Sequence, residues 1–397
     1  SSFAGAKTAQ GNTDANGIGD FYYAPPEGAL ALCTANLPAP VFDPAADVTP
    51  EDHFNAVLWT GDNTISRGIT GVGFQPDFVW LKRRNPTLGN HQLVDAVRGY
   101  GTSAMDTLFS NLTNAEVSTN SGLALEYGNI QSLDTDGFTV AAGTNGSQPL
   151  AEVNETSYTY VAWCFKAGGT PVTNTDGSIT SSVSANVDAG FSIVSYSGNS
   201  VLDASIGHGL SQAPELYIIK NRNGAYAWIT HTTAIDGTLD YLYINLTNAA
   251  ASTGSTLPTD TVMHVYNNGE QNQSGFDYIA YCWHSVEGFS KIGTYTGNGS
   301  TDGPFVYCGF KPAFIMVKRT NSTGNWVIVD NERLGYNIDN KLLYPNLRDA
   351  ESGGGVTMDF LSNGFKPRFN SADYNASGST YLFMAFAENP FKYSTAR

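Results

Sequence analysis

Three stretches of four apolar residues in a row stand out along the chain: FVWL at 78–81, LYII at 216–219 and FIMV at 314–317. Each begins two residues after a proline (Pro76, Pro214, Pro312) and is closed by a lysine (Lys82, Lys220, Lys318). A helix face spaces its apolar positions three and four apart, so these unbroken runs predict short strands covered on both faces. Strand-like runs recur every ~8–12 residues between turn residues, which predicts an all-β chain of sandwich or jelly-roll type. The piece LTNAE sets Thr113 and Glu116 at capping-box spacing and predicts one short helix per module.

The runs sit inside longer blocks that recur in one order. AVLWTGDN from Ala56, IVSYSGNS from Ile193 and IGTYTGNGS from Ile292 align on Gly61, Gly198 and Gly297. Each unit closes on an aromatic strand: YTYVAWCFKAG from Tyr158, FDYIAYCWHSVEG from Phe276 and STYLFMAFAENP from Ser379. Matched blocks predict three tandem repeated β modules, at 53–169, 190–288 and 289–397, after an N-terminal segment at 1–52. Residues 170–189, rich in Gly, Ser, Thr and Asn, read as a linker. The second and third modules abut and are expected to pack rigidly. The Gly-rich YTGNG is a hairpin corner, because a phosphate loop needs a following Gly-Lys-Ser/Thr and a helix.

Charge narrows the function. Thirty-six acidic against 20 basic residues give a formal charge of -16, which repels phosphate backbones and argues against nucleic-acid binding. No apolar run approaches the ~20 residues of a membrane span. The opening SSFAGAKTAQGN, with no initiator Met or signal peptide, is expected of a processed or fragmentary chain.

The blocks test candidate chemistry by asking which positions keep it. His208 aligns with Val72 and Cys308, a packing slot. Cys164 and Cys282 align with Ala385, so they are expected to be buried and reduced, and the four cysteines lack zinc spacing. Lys82, Lys220 and Lys318 persist, and the next strand offers Asp95, His231 and Asp330, which suggests a cross-strand ion pair. Sequons at Asn111 and Asn245 fall in the repeated NLT block and read as capping rather than glycosylation. DTDG at 134 and NTDG at 174 lack a full calcium-ligand series. No G-x-S-x-G or H-E-x-x-H occurs, although two carboxylates suffice for a glycosidase. No catalytic, cofactor-binding or metal residue is assigned, and no cofactor is expected. Ligand contacts are expected in variable loops, foremost Glu116 to Ser157, where the sister modules are shorter.

GDFYYAPPEGALALCTANLPAP, Gly19 to Pro40, resembles the C-terminal end of SPRY-type β-sandwich domains of bacteriophage virion proteins, through Pro25, Pro26, Gly28, Leu32, Leu37 and Pro38. From His53 to Arg397 the chain resembles the repeated β-rich region that follows such domains in tail-fibre-like proteins. VAWCFKAGGTPVTNTDGSITSSVSANVDAGFSIVSYSGN and AFAENPFKYSTAR are its most specific parts. The resemblance implies a virion protein in an external appendage, a tail fibre or knob at the extracellular surface, contributing to host attachment and not an enzyme. Its implied partners are further copies of itself (a homo-oligomer, with a trimer favoured), other virion proteins, and a host-surface glycan or protein receptor. The alternatives are a capsid decoration or purely architectural protein, and a polysaccharide depolymerase.

Overall fold

The apolar runs are unbroken because each strand they form lies between two cores. A computed structural model describes residues 8–33, 36, 49–85, 89–99, 105–117, 127–143, 152–252, 254–333 and 339–389. The chain divides into two compact units, Ser1–Val41 and Phe42–Arg397. In the first unit the Asp14 carboxylate accepts from the backbone of Asn16, Ile18 and Ala31 and so gathers a coil with one isolated bridge, Asn12 to Phe21. Strand accounts for 43% of the chain and helix for 2%, so the fold is all-β.

The second unit opens with a 3-10 turn, Pro50–Asp52. Strands β1 (Phe54–Thr60), β2 (Arg67–Thr70), β3 (Phe78–Arg83), β4 (His91–Asp95), β5 (Leu108–Phe109), β6 (Asn129–Asp134), β7 (Gly137–Ala141) and β8 (Thr159–Phe165) follow. They form a sheet ordered β1-β8-β3-β4-β5 and a smaller one ordered β2-β7-β6. Next come β9 (Val172–Asn174), β10 (Ser181–Asn186), β11 (Phe191–Ser197), β12 (Ala204–Gly207), β13 (Leu216–Asn221), β14 (Ile229–Thr232), β15 (Asp240–Tyr243), β16 (Ala251–Ser252), β17 (Val262–Val265) and β18 (Asp277–Trp283). Their sheets are β16-β15-β14-β13-β18-β11-β10-β9 and β12-β17. The last set is β19 (Ser290–Thr296), β20 (Val306–Tyr307), β21 (Lys311–Arg319), β22 (Trp326–Asp330), β23 (Asp339–Leu342), β24 (Ser352–Leu361), β25 (Gly364–Pro367) and β26 (Thr380–Asn389). It builds the sheets β19-β26-β21-β22 and β20-β25-β24-β23. All named strand pairs are antiparallel, and the larger sheets share the orders β1-β8-β3-β4, β11-β18-β13-β14 and β19-β26-β21-β22.

Alternation along the long strands explains the packing. Val79 and Leu81 of β3, Tyr217 and Ile219 of β13, and Ile315 and Val317 of β21 each face a core between the two sheets of their own segment. Their neighbours Phe78 and Trp80, Leu216 and Ile218, and Phe314 and Met316 face the other way and join one common core. Trp163 and Phe165, Tyr281 and Trp283, and Met384 and Phe386 complete it. Three sandwich-like units therefore stand around a shared apolar centre rather than end to end. Burying large apolar side chains at ~1.5–3 kcal/mol each makes this centre a main source of stability.

Two local expectations fail. Residues 170–189 are not a free linker. Ser182 to Asn186 pair with Phe191 to Ser195 one strand in from the edge of the second large sheet, with Val183 turned into its sandwich core. β9 pairs with Ser181 to Val183 and lies outside them, and Ser181 and Ser184 are themselves buried, so the serines are part of the packed sheet. The expected short helices are absent among the described residues: residues 112–116 are irregular. Glu116, cast as a capping-box residue, instead meets Arg98 and Arg222, because tertiary ion pairing outweighs a weak local helix signal.

Candidate functional site

The glycines that open the blocks are set by close backbone approach. A Cβ on Gly61, Gly198 or Gly297 would collide with a carbonyl of Glu155, Gln273 or Ala376. That turn is held by a buried asparagine in each unit. Asn154 donates to Thr64 O, Asn272 to Val201 O and Asn375 to Ser300 O, at 2.7–3.0 Å. These three asparagines have no exposed surface, so their sequons serve packing. The NLT block does similar work: Asn111, Asn245 and Asn346 accept from the backbone N of His91, Trp228 and Trp326.

The persistent lysines form no cross-strand ion pair. Register sets Lys82 opposite His91 and Lys318 opposite Trp326, while Asp95 and Asp330 lie at the far strand end, opposite Phe78 and Phe314. The amines instead cross to a neighbouring sandwich. Lys82 donates to Arg348 O (3.3 Å) in the third, Lys220 to Thr113 O (3.1 Å) in the first, and Lys318 to Thr247 O (3.3 Å) in the second. The first thus holds the third, the second holds the first and the third holds the second, which closes a ring. Burial pushes the Lys82 amine down to about 7 and those of Lys220 and Lys318 to about 8.

Other candidates are absorbed by the fold. His208 is fully buried, with Nε2 3.0 Å from Thr259 O and Nδ1 accepting from Leu210 N, and burial lowers its pKa. Cys164 and Cys282 are buried and unpaired, and burial raises both thiols, that of Cys282 to about 12. Such thiols are poor nucleophiles. Among the described residues no group of His, Cys, Asp and Glu could hold a metal ion. No described helix is long and apolar enough to cross a membrane.

The most suggestive concavity is a cleft of about 180 Å³ at the rim of the first sandwich, where Arg348 reaches in from the third. Asn90, Gln92, Phe109, Tyr127 and Glu152 line it, and Val117, Tyr127, Gly128 and Glu152 come from the stretch 116–157. Residues 118–126 and 144–151 of that stretch lie outside the described residues. Gly128, at φ +80, leaves room for no Cβ between Ala141 O and Val153 O, so the cleft floor runs tight against the sandwich. The Glu152 side chain is held by Asn90 N (3.0 Å), Asn90 Nδ2 (2.6 Å) and Gln92 Nε2 (3.2 Å). Burial raises its pKa, against the opposing pull of these donors and of Arg348 and Arg83. Glu152 is the one carboxylate among the described lining residues, whereas hydrolysis by a carboxylate pair asks for two, ~5–10 Å apart. Sequence reasoning passed over Gln92, although its counterparts in the aligned blocks are Ile229 and Val327.

Residues 49–390 match the model of a family described as a domain of unknown function, DUF7483. No curated protein matches the chain.

Proposed function

The chain belongs to the DUF7483 family, and from that premise we propose that it is a structural and binding protein of a bacteriophage virion. It stands in an external appendage such as a tail fibre or knob and contributes to host attachment. The observation that carries the non-catalytic part is the use made of the recurring polar positions. Lysines 82, 220 and 318 and asparagines 154, 272 and 375 are engaged with backbone carbonyls. They are spent on holding corners and closing the ring, so ligand contact falls to features particular to one sandwich. The virion setting rests on the resemblance of 161–199 and 385–397 to tail-fibre-like proteins. A homo-oligomer, with a trimer favoured by analogy with fibre proteins, multiplies weak contacts into firm attachment.

The test is competition. Host cells pre-incubated with purified chain should adsorb fewer virions, and gold-labelled antibody should mark the appendage. Label confined to the capsid shell, with no competition, would replace attachment by decoration. Release of reducing ends from host polysaccharide, abolished by Glu152→Gln, would replace binding by depolymerisation. A single mass corresponding to one chain in light scattering would remove the trimer.

A further inference from the structure

We propose that the open edge at β20 of the third sandwich is a self-association surface, which pairs antiparallel with β20 of a second copy of this chain about a two-fold axis. The assignment rests on the reading of the chain as a homo-oligomer, not on its place in a virion. β20 ends the sheet β20-β25-β24-β23 and is paired on one side alone. Val306 lies opposite Phe365, and Cys308 N donates to Asn363 O at 2.9 Å, so these alternate residues turn their backbone groups towards β25. Phe305 and Tyr307 therefore turn theirs to the open side. Among the described residues those groups have no hydrogen-bond partner. The two side chains are 49% and 64% exposed, while Val306 between them is buried in the sandwich core.

The sister sandwiches cover or blunt the same edge. In the second, Ser205 and Gly207 stand where Phe305 and Tyr307 stand in the third, by the alignment of His208 with Cys308. Ser205 O accepts from Ile179 N at 3.0 Å, Ser205 N donates to Ser178 Oγ at 3.0 Å, and Gly207 O accepts from Ser181 Oγ at 2.8 Å. An extended piece of the same chain thus lies along that edge, bridging Ile179 to Ile206. In the first, Thr70 lies opposite Gly137 as Tyr307 lies opposite Gly364. That edge offers Gly68, Thr70 and the charged Arg67, and a charge on an edge strand discourages pairing with another chain. The third sandwich has neither device, and two aromatic side chains flank its open backbone.

A second copy fits by symmetry. A two-fold axis beside Val306 sets Phe305 opposite Tyr307 of the second copy, and the reverse. Each such pair can exchange N–H···O=C bonds in both directions, and its rings meet on the outer face of the continuous sheet. Charge permits the approach. The chain carries -16, but on this sheet Asp302 meets Lys366 (2.6 Å) and Arg368 (3.5 Å), and Asp359 meets Arg368 (3.3 Å), so two carboxylates and two cations balance. The contact joins chains in pairs and is distinct from any threefold one.

The experiment is sedimentation equilibrium on the full chain up to roughly 100 μM. The wild type should form pairs. Tyr307→Lys should weaken the pairing about tenfold or more with the thermal midpoint unchanged, and Thr70→Lys on the first sandwich should leave it as it is. Register is read by cross-linking in a Cys33→Ser background. Phe305→Cys mixed with Tyr307→Cys should form a disulfide-linked pair under mild oxidation, and neither variant should do so alone. A chain that stays monomeric overturns both the proposal and the homo-oligomer, and leaves β20 to a strand of another protein. An oligomer that Tyr307→Lys does not disturb, a trimer included, overturns the proposal and keeps the homo-oligomer. Absence of the mixed cross-link overturns the two-fold register.

Discussion

The first and third sandwiches meet through charge, and the third and second meet through grease. At the first–third junction Arg84 holds Glu351 through Nε at 2.8 Å, and Glu351 N donates to Arg84 O. Trp163 Nε1 donates to Asp330 Oδ2 at 2.9 Å, and the same oxygen takes Arg333 Nε at 2.7 Å. Arg333 also reaches Glu351. The second–first junction repeats the set with Arg222, Glu116, Tyr281, Asp95 and Arg98. At the third–second junction the backbone bond persists, Ala250 N to Thr320 O at 2.7 Å, but Thr320 stands where the arginine was and Ala250 where the glutamate was. Thr232 replaces the aspartate, Ile235 its arginine and Met384 the aromatic, and Ile235 and Ala250 pack on the common core.

Buried ion networks are weak sources of net stability, and apolar replacements of similar volume often serve as well or better. The difference therefore points to partner choice. The second and third sandwiches follow each other with almost no intervening chain. The first and third must find each other across 267 residues, the separation of Arg84 and Glu351. Both junctions of the first sandwich carry the charge set, the one with its chain neighbour included, so a geometrically demanding set distinguishes its two partner surfaces, while the directly abutting second and third sandwiches do without it.

The largest effect should come from breaking one side of the network. Asp330→Ala leaves Arg333 and Trp163 Nε1 without their acceptor in a dry interface and should destabilise the chain by about 3–5 kcal/mol. Thr232→Ala at the corresponding place should cost less than about 1.5 kcal/mol. Chemical denaturation compares them, and equal losses would break the contrast. A gentler and sharper variant grafts the apolar set onto the charged junction: Arg84→Thr, Trp163→Met, Asp330→Thr, Arg333→Ile and Glu351→Ala together. Stability should stay level or rise by up to about 4 kcal/mol, while refolding yield falls through mispaired sandwiches. A grafted chain that unfolds outright would show the charges to be the glue.

The smallest effect should come from the lysines that all three junctions share. Their folded pKa values, about 7 for Lys82 and about 8 for Lys220 and Lys318, lie below the ordinary 10.5. The unfolded chain then binds more protons than the folded one between those values, so stability rises with pH from about 7 to about 10. The carbonyls around each amine favour the ammonium form, which discounts the gain to roughly 1 kcal/mol per lysine. Above pH 10 the trend should reverse, because burial raises the folded pKa of Tyr196, Tyr217, Tyr281 and Tyr295, and the unfolded chain ionises first. A thermal midpoint that falls steadily from pH 7 to pH 10 would contradict the assignment.

Part of this was legible in the residues alone. FVWL, LYII and FIMV announced strands with two covered faces, because an unbroken apolar run leaves no face for water. The alignment of His208 with Val72 and Cys308, and of Cys282 with Ala385, marks packing positions in the sequence itself. Gln92 against Ile229 and Val327 stood in the same alignment, but its meaning depends on which face it takes, and only strand register decides that. The period of a strand tells how many of its faces are buried, not against what. The common core, the lysines reaching a neighbour's carbonyls, and the pairing of Arg84 with Glu351 join residues far apart in the chain. No local propensity encodes such contacts. They arise when three sheets with two apolar faces each have one face left to bury, and closing them around a shared centre hides it from water.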